Sequence, residues 1–83
     1  MMMLENERRR LYKILELPKH LQTTIVTLMR LGAACASDVA SITGRARAVE
    51  SAYLNQLCTM KLAKRGRSGR KAIFQVDFEG LDY

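Results

Sequence analysis

The chain has 83 residues, of which 48% are hydrophobic and 27% are charged, and its net charge at pH 7 is +6. This composition is typical of one small globular domain and excludes a disordered tail. No apolar run approaches the roughly 20 residues of a membrane span, and the charged start lacks the apolar core of a secretory signal. With only two cysteines, too few for a disulfide framework, we expect a cytoplasmic protein without a membrane partner.

Apolar residues at helical spacing predict two helices in the first part of the chain. The first covers 3–16 and ends at Leu17, because Pro18 disfavours helical geometry in the residue before it. The second covers 18–31, with Pro18 in its first turn and Gly32 after its end. Its expected inward face consists of Leu21, Ile25, Leu28 and Met29.

Two further helices are predicted on either side of Gly44. Ser37 and Asp38 are typical caps of a short helix. Its expected inward residues are Val39, Ala40 and Ile42. A longer helix then covers 45–60, within a helical core that spans 18–60. The expected buried row of this helix is Val49, Tyr53, Leu54, Leu57 and Met60.

The remaining chain predicts a β-hairpin over 62–76, with a turn at 67–70. Residues 77–83 are short and acidic, so we expect a loosely held tail. The predicted fold class is therefore mainly α with a small β-hairpin, in a single domain over 1–83.

Positive charge is concentrated in one part of the chain. Residues 43–71 carry eight basic residues and one acidic residue, a net charge of +7, whereas residues 72–83 carry three acidic residues and no basic one. Basic charge on a helix and on the hairpin after it attracts a dense rod of phosphates such as a nucleic-acid duplex. Single-stranded binding needs several exposed rings, and only 6% of the residues are aromatic.

The order of helix, helix, short helix, glycine turn, longer helix and basic hairpin resembles a winged helix-turn-helix domain, as in the MarR-like and ArsR-like transcription regulators. The stretch that carries the resemblance is ASDVASITGRARAVESAYLNQLCTMKLAKRGRSGRKAIFQV, positions 36–76. It implies that 45–60, with Leu54 and Leu57 three residues apart, is a recognition helix and that 62–76 is a wing. These families usually open the wing with Gly-Leu-Val, whereas this chain has a lysine at position 61, so we expect a slightly different helix end.

The resemblance also implies which residues contact DNA. A recognition helix reads the major groove, arginine binds guanine or phosphate, and small residues permit close approach. The predicted DNA-binding residues are Thr43, Arg45, Arg47, Ala48, Ser51, Asn55, Lys64, Arg65, Arg67, Ser68, Arg70 and Lys71. If about six cations neutralise phosphates, the log–log dependence of affinity on salt has a slope near −5. Glu50 would repel phosphate, and two interpretations remain open: it pairs with Arg45 or Arg47, or it is exposed to solvent.

We therefore expect a sequence-specific regulator of transcription that binds double-stranded DNA and is associated with the nucleoid. Leu4, Leu11 and Leu15 exceed what a three-helix core needs, and relatives often dimerise through such a terminal helix. These leucines predict a homodimer interface; alternatively, the helix folds back on its own domain. The alternative function is a winged-helix protein-interaction adaptor in a replication, transcription or chromosome-organising complex.

The sequence favours no enzyme, cofactor, metal site or small-molecule ligand. It contains one histidine, no nucleophile beside a base, and no glycine loop of the phosphate-cradling kind. Cys35 and Cys58 are expected to pack as small buried hydrophobes. The alternative for them is a redox or metal sensor, as cysteines form in some relatives of these families.

Overall fold

A computed structural model describes residues 4–82 of the chain. Its elements are α1 (Glu5–Glu16), α2 (Lys19–Leu31), β1 (Ala33–Ala34), α3 (Ala36–Thr43), α4 (Arg47–Thr59), β2 (Ala63–Ser68), β3 (Lys71–Val76) and α5 (Phe78–Asp82). The predicted mainly α class with a small β-hairpin is confirmed. The predicted start of the first helix at residue 3 lies outside the described residues.

The hydrophobic core lies between α2, α3, α4 and the sheet. Leu21, Ile25 and Leu28 of α2 are fully buried, as their helical spacing predicts. The other buried members are Ile14, Leu17, Ala34, Ala36, Val39, Leu54, Leu57, Leu62, Ala63, Phe74, Val76 and Leu81. None of the helices in the described part of the chain is long and apolar enough to cross a membrane.

The short helix α3 begins earlier than its predicted caps. Cys35 is the residue before its first turn, and the backbone N–H of Cys35 donates to Asp38 Oδ2 at 3.3 Å. The Asp38 carboxylate, in the first turn of α3, thus provides a hydrogen-bond acceptor for the backbone N–H that precedes the helix. Gly44 ends the helix in the left-handed conformation (φ 78°, ψ 5°), which glycine adopts without steric cost.

The inward face of α4 differs from the predicted row. Val49 and Met60 are 38% and 44% exposed, whereas the Glu50 side chain is fully buried together with Leu54 and Leu57. The spacing 50, 54, 57 places these three residues on one helical face. Glu50 was not among the residues predicted to lie in the buried row. Ile42 of α3, also predicted inward, is 51% exposed.

A three-stranded antiparallel sheet contains the predicted hairpin, with strand order β1-β3-β2. The hairpin register runs from Ala63 opposite Val76 to Ser68 opposite Lys71, so the turn consists of positions 69 and 70. Gly69 has φ 62°, and glycine at the first of two turn positions is typical of a type II′ hairpin turn. The predicted turn therefore lies slightly later in the chain than expected. Strand β1 is only two residues long and was not predicted.

Helix α4 ends, just before the wing, with the left-handed backbone geometry that glycine usually provides, although the residue there is a lysine. Lys61 has φ 64°, in the left-handed region. Its N–H donates to Cys58 O at 3.0 Å, and the N–H of Leu62 donates to Leu57 O at 2.9 Å. These two hydrogen bonds form a Schellman motif. The expected difference from the Gly-Leu-Val families is therefore a lysine in a strained backbone conformation. The hydrogen-bond pattern at the helix end is not changed.

The expectation of a loosely held tail is wrong for the described residues. Residues 78–82 form α5, which packs on α1, and Leu81 is fully buried. Lys13 Nζ donates to Gly80 O at 2.8 Å. A Cβ atom added at Gly80 would collide with the carbonyl oxygen of Lys61, so this position requires glycine. Residue 83 lies outside the described residues.

Candidate nucleic-acid interface

A buried polar network fixes the N-terminal half of α4. The Glu50 carboxylate accepts hydrogen bonds from the hydroxyls of Thr24 (2.7 Å) and Thr43, and Arg45 Nη1 lies 3.5 Å from each of its oxygens. Glu50 is thus paired with Arg45 and is not exposed to solvent, which decides between the two interpretations of this residue. A buried carboxylate is costly unless it has such hydrogen-bond partners. Here the partners come from α2 and from the α3–α4 connection, so the contacts tie both of them to α4.

The Arg45 side chain is turned toward the protein. Its Nη1 also donates to His20 O at 3.1 Å and to Thr24 Oγ1 at 3.0 Å. Its guanidinium carbon lies 5.3 Å from the centre of the Tyr53 ring, which is 4.6 Å from the His20 ring. Only 27% of the Arg45 side chain is exposed. Thr43 and Arg45 thus hold the turn and α4 in place.

Apart from Val49, which is 38% exposed, the outer face of α4 carries no large apolar side chain in its first half. Arg47 and Ala48 are exposed, as are Ala46 and Ala52, and Ser51 is half-buried. Small side chains let a helix approach another backbone closely. This face is therefore shaped for close contact with a groove.

The wing is connected to α4 by a polar contact. Arg65 Nη1 donates to Asn55 Oδ1 at 3.3 Å, and Asn55 Nδ2 donates to Ser51 O at 2.9 Å. The Arg65 guanidinium carbon also lies 6.0 Å from the centre of the Phe74 ring. Asn55 therefore holds an arginine of the wing beside the helix.

A cleft of about 400 Å³ opens between α3, α4 and the wing. Its lining residues are Cys35, Ala36, Ser37, Arg47, Ser51, Arg65, Arg70, Lys71, Ala72 and Phe74. Cations from the start of the longer helix and from the hairpin thus meet on one surface. The remaining predicted wing residues, Lys64, Arg67 and Ser68, line a second groove of about 340 Å³ along the hairpin. There Lys64 Nζ lies 4.0 Å from Asp77 Oδ1, with 64% of the lysine side chain exposed.

A curated protein of Archaeoglobus fulgidus, described only as uncharacterised, is 49% identical to this chain over 59 residues. The matched part covers 71% of this chain and 80% of that protein. The chain belongs to the same family as this archaeal protein. No family model matches the chain.

Solved structures show the fold of this family. The AntR antimony-specific transcriptional repressor matches with a TM-score of 0.68 and 23% identity, over 90% of this chain and 67% of that chain. BpsR of Bordetella bronchiseptica, whose DNA binding is regulated by 6-hydroxynicotinic acid, gives 0.70 and 19%, over 89% and 62%. A predicted DNA-binding transcriptional regulator from E. coli gives 0.69 and 20%, over 92% and 79%. The chain spans about two thirds of the length of the first two proteins. It has the winged helix-turn-helix fold, as its sequence predicts.

The two cysteines of this family member lie in different surroundings. Cys35 is buried at the cleft, and Cys58 is half-buried in α4. Burial raises the pKa of the Cys58 thiol, and the nearby Arg65 guanidinium lowers it only in part. A raised pKa reduces the thiolate fraction that reacts with oxidants or metals. Among the described residues, no three His, Cys, Asp or Glu side chains are grouped so as to hold a metal ion.

Helix α1 has one face on its own domain and another exposed. Ile14 and the following Leu17 are buried, whereas Leu4, Leu11 and Leu15 are 65%, 43% and 58% exposed. The helix thus packs on its own domain, which was the alternative to a dimer interface. The leucines predicted for that interface nevertheless remain accessible.

Proposed function

We propose that this protein binds double-stranded DNA and regulates transcription, with α4 in the major groove and the hairpin on the adjoining strand. The observation that supports this most is the shared cleft, where Arg47 of α4 meets Arg65, Arg70 and Lys71 of the hairpin. A duplex presents one negative charge per about 1.7 Å of its axis. A helix and a wing whose cations converge on one surface fit this row of phosphates. A protein-interaction adaptor would need no positive charge on both the helix and the wing.

Direct base contacts are assigned to the exposed half of α4. Arg47 is the first residue of this helix, and N-terminal residues of a recognition helix reach base edges. Arginine bonds the O6 and N7 acceptors of guanine in a bidentate manner. Ser51 lies one turn later, and Ala48 leaves room for the groove wall. These residues carry the proposed sequence specificity, whereas Thr43 and Arg45 support the helix from behind.

Contacts with the DNA backbone or the minor groove are assigned to the hairpin. Arg67, Ser68 and Arg70 are exposed at its tip. Arginine is attracted to a narrow minor groove and to the phosphates beside it. Lys64 and Lys71 extend the same charge along the strands. Asn55 acts here through Arg65, whose guanidinium it holds next to α4.

We also propose a homodimer that forms through α1. Its exposed leucines, at positions 4, 11 and 15, lie on one helical stripe. A two-fold axis perpendicular to α1 would pair the two helices in antiparallel orientation, with these leucines between them. A dimer would then present two recognition helices to one duplex.

Selection of bound duplexes from a random DNA pool tests the proposed function. We expect enrichment of a palindromic motif, with half-sites separated by about one helical turn of 10 base pairs or a multiple of it. A single unrepeated motif would support sequence-specific binding without the dimer. A pool that stays random through the selection would contradict sequence-specific recognition.

A further inference from the structure

In the described part of the chain, no carboxylate neutralises the cations of the cleft, whereas some other cations are ion-paired. Arg9 pairs with Glu5, Arg45 with Glu50 and Lys64 with Asp77. Among the side chains that the structure describes, no carboxylate lies within salt-bridge range of Arg47, Arg65, Arg70 or Lys71. Like charges in one concavity repel each other, so the cleft is stabilised when an anion enters it.

Neutral donors line the same cleft. The hydroxyl-bearing residues Ser37 and Ser51 are on its wall, and Ala36 and Ser37 are the first two residues of α3. The first N–H groups of a helix have no acceptor within the helix, and the helix dipole adds positive potential there. The Asp38 carboxylate bonds to the Cys35 amide and is not part of the lining. Cations, hydroxyls and free amides together are the donor set that a phosphate group prefers.

We propose that this cleft is a discrete binding site for a single phosphate group, set between α3, α4 and the wing. The proposal rests on the proposed DNA function in one respect: a backbone phosphate of the bound strand is one source of that group. Free phosphate is the other source, and it offers the same tetrahedral oxyanion. Wing and helix are then joined by the bound anion in addition to the Arg65–Asn55 hydrogen bond.

A discrete site has a consequence that diffuse charge lacks. Diffuse attraction depends on ionic strength and hardly on which anion supplies it. A site with directed donors distinguishes phosphate from chloride at equal ionic strength. Free phosphate should therefore compete with DNA more strongly than chloride does.

The first experiment titrates the ¹⁵N-labelled protein with inorganic phosphate and separately with chloride at matched ionic strength. We expect saturable shifts of the Ser37 and Ser51 amide signals with phosphate alone. The variant Arg70→Gln plus Lys71→Gln should weaken this binding at least about tenfold, as expected when charge-assisted hydrogen bonds are lost. Lys19→Gln plus Arg30→Gln is the matched control, since it removes the same charge and these two exposed cations of α2 line none of the described clefts. Equal responses to both anions, or an undiminished response in the double variant, would overturn the proposal.

The second experiment separates the two sources of phosphate. Single neutral methylphosphonates are placed in turn along a bound duplex. A position whose neutralisation weakens the wild type but not the double variant supports the site with DNA as its source. Saturable inorganic phosphate binding without such a position supports the site with free phosphate as its source. If the protein binds duplex DNA but shows no saturable binding of phosphate, the cleft proposal is wrong and the proposed DNA function is retained. If it binds phosphate but no duplex, the cleft proposal is retained and the proposed DNA function is wrong.

Discussion

The Arg45 guanidinium lies 3.5 Å from both carboxylate oxygens of Glu50, a side chain that is fully buried in α4. The two residues belong to different elements, since Arg45 precedes α4 in the turn after α3. Together with Thr24 of α2 they hold α4 at a fixed angle to the helix behind it. The position of the proposed recognition helix therefore depends on an ion pair beneath it.

Substitution of Arg45 should lower stability, whereas substitution of its neighbour Arg47 should not. Removal of one partner from a buried pair leaves the other charge uncompensated, so we expect Arg45→Ala to reduce the free energy of unfolding by about 3 kcal/mol. Arg47 is exposed, and Arg47→Ala should change it by less than about 0.5 kcal/mol. Urea denaturation followed by circular dichroism measures both. Equal effects of the two substitutions would show that the Glu50 pair does not support the fold.

Lys61→Gly should stabilise the protein. Lys61 has φ 64°, and left-handed geometry costs a non-glycine residue about 1–2 kcal/mol. Part of the gain is lost because glycine has more freedom in the unfolded chain, so we expect a net increase of about 0.5–1 kcal/mol. Lys61→Ala is the control and should bring no gain, because alanine keeps the Cβ atom. A lower melting temperature for the glycine variant than for the alanine variant would contradict the strain.

Gly80→Ala should release α5 from the domain. The added Cβ atom would collide with the Lys61 carbonyl oxygen, which cannot move without breaking the helix end. Exposure of the buried Leu81 side chain alone costs about 1.5–3 kcal/mol. Glu79→Ala, at an exposed position of the same helix, should change stability by less than about 1 kcal/mol. If both variants unfold at the same urea concentration, the close approach of α5 to Lys61 is not required.

A charge at the exposed face of α1 should dissociate the proposed dimer. Leu11→Glu places a carboxylate in the apolar stripe, so we expect sedimentation at tens of micromolar protein to change from dimer to monomer. Val26→Glu in α2 is the matched control, since Leu11 and Val26 are both 43% exposed. The control should remain dimeric. A monomeric wild type at that concentration would contradict the interface.

Local signals in the sequence predicted most of the fold. The second helix, the hairpin and the cations at the wing follow from periodicity, from Pro18, Gly32 and Gly69, and from charge density. Strand β1 was missed because two residues carry no alternation and exist as a strand only through pairing with β3. Helix α5 was missed because five residues are too short to show a helical period.

The site was harder to predict than the fold for a different reason. A sequence shows that a residue is charged but not which way its side chain points. Arg45 and Arg47 look equivalent in the sequence, yet one bonds to Glu50 and the other lines the cleft. The signal available in the sequence was Glu50 itself, at the spacing of Leu54 and Leu57, which marks the inward face of the helix.

The salt dependence of duplex binding tests the central claim most directly. Fluorescence anisotropy of a labelled duplex gives the dissociation constant of the wild type, of Arg67→Gln plus Arg70→Gln at the hairpin tip, and of Arg30→Gln, an exposed cation that lines none of the described clefts. We predict a log–log slope near −5 per protomer for the wild type and the Arg30 control, and near −3 for the double variant, because each lost phosphate contact removes about one unit of slope. A slope near zero for the wild type, or identical slopes for all three proteins, would contradict the claim that helix and wing bind one duplex through a shared basic surface.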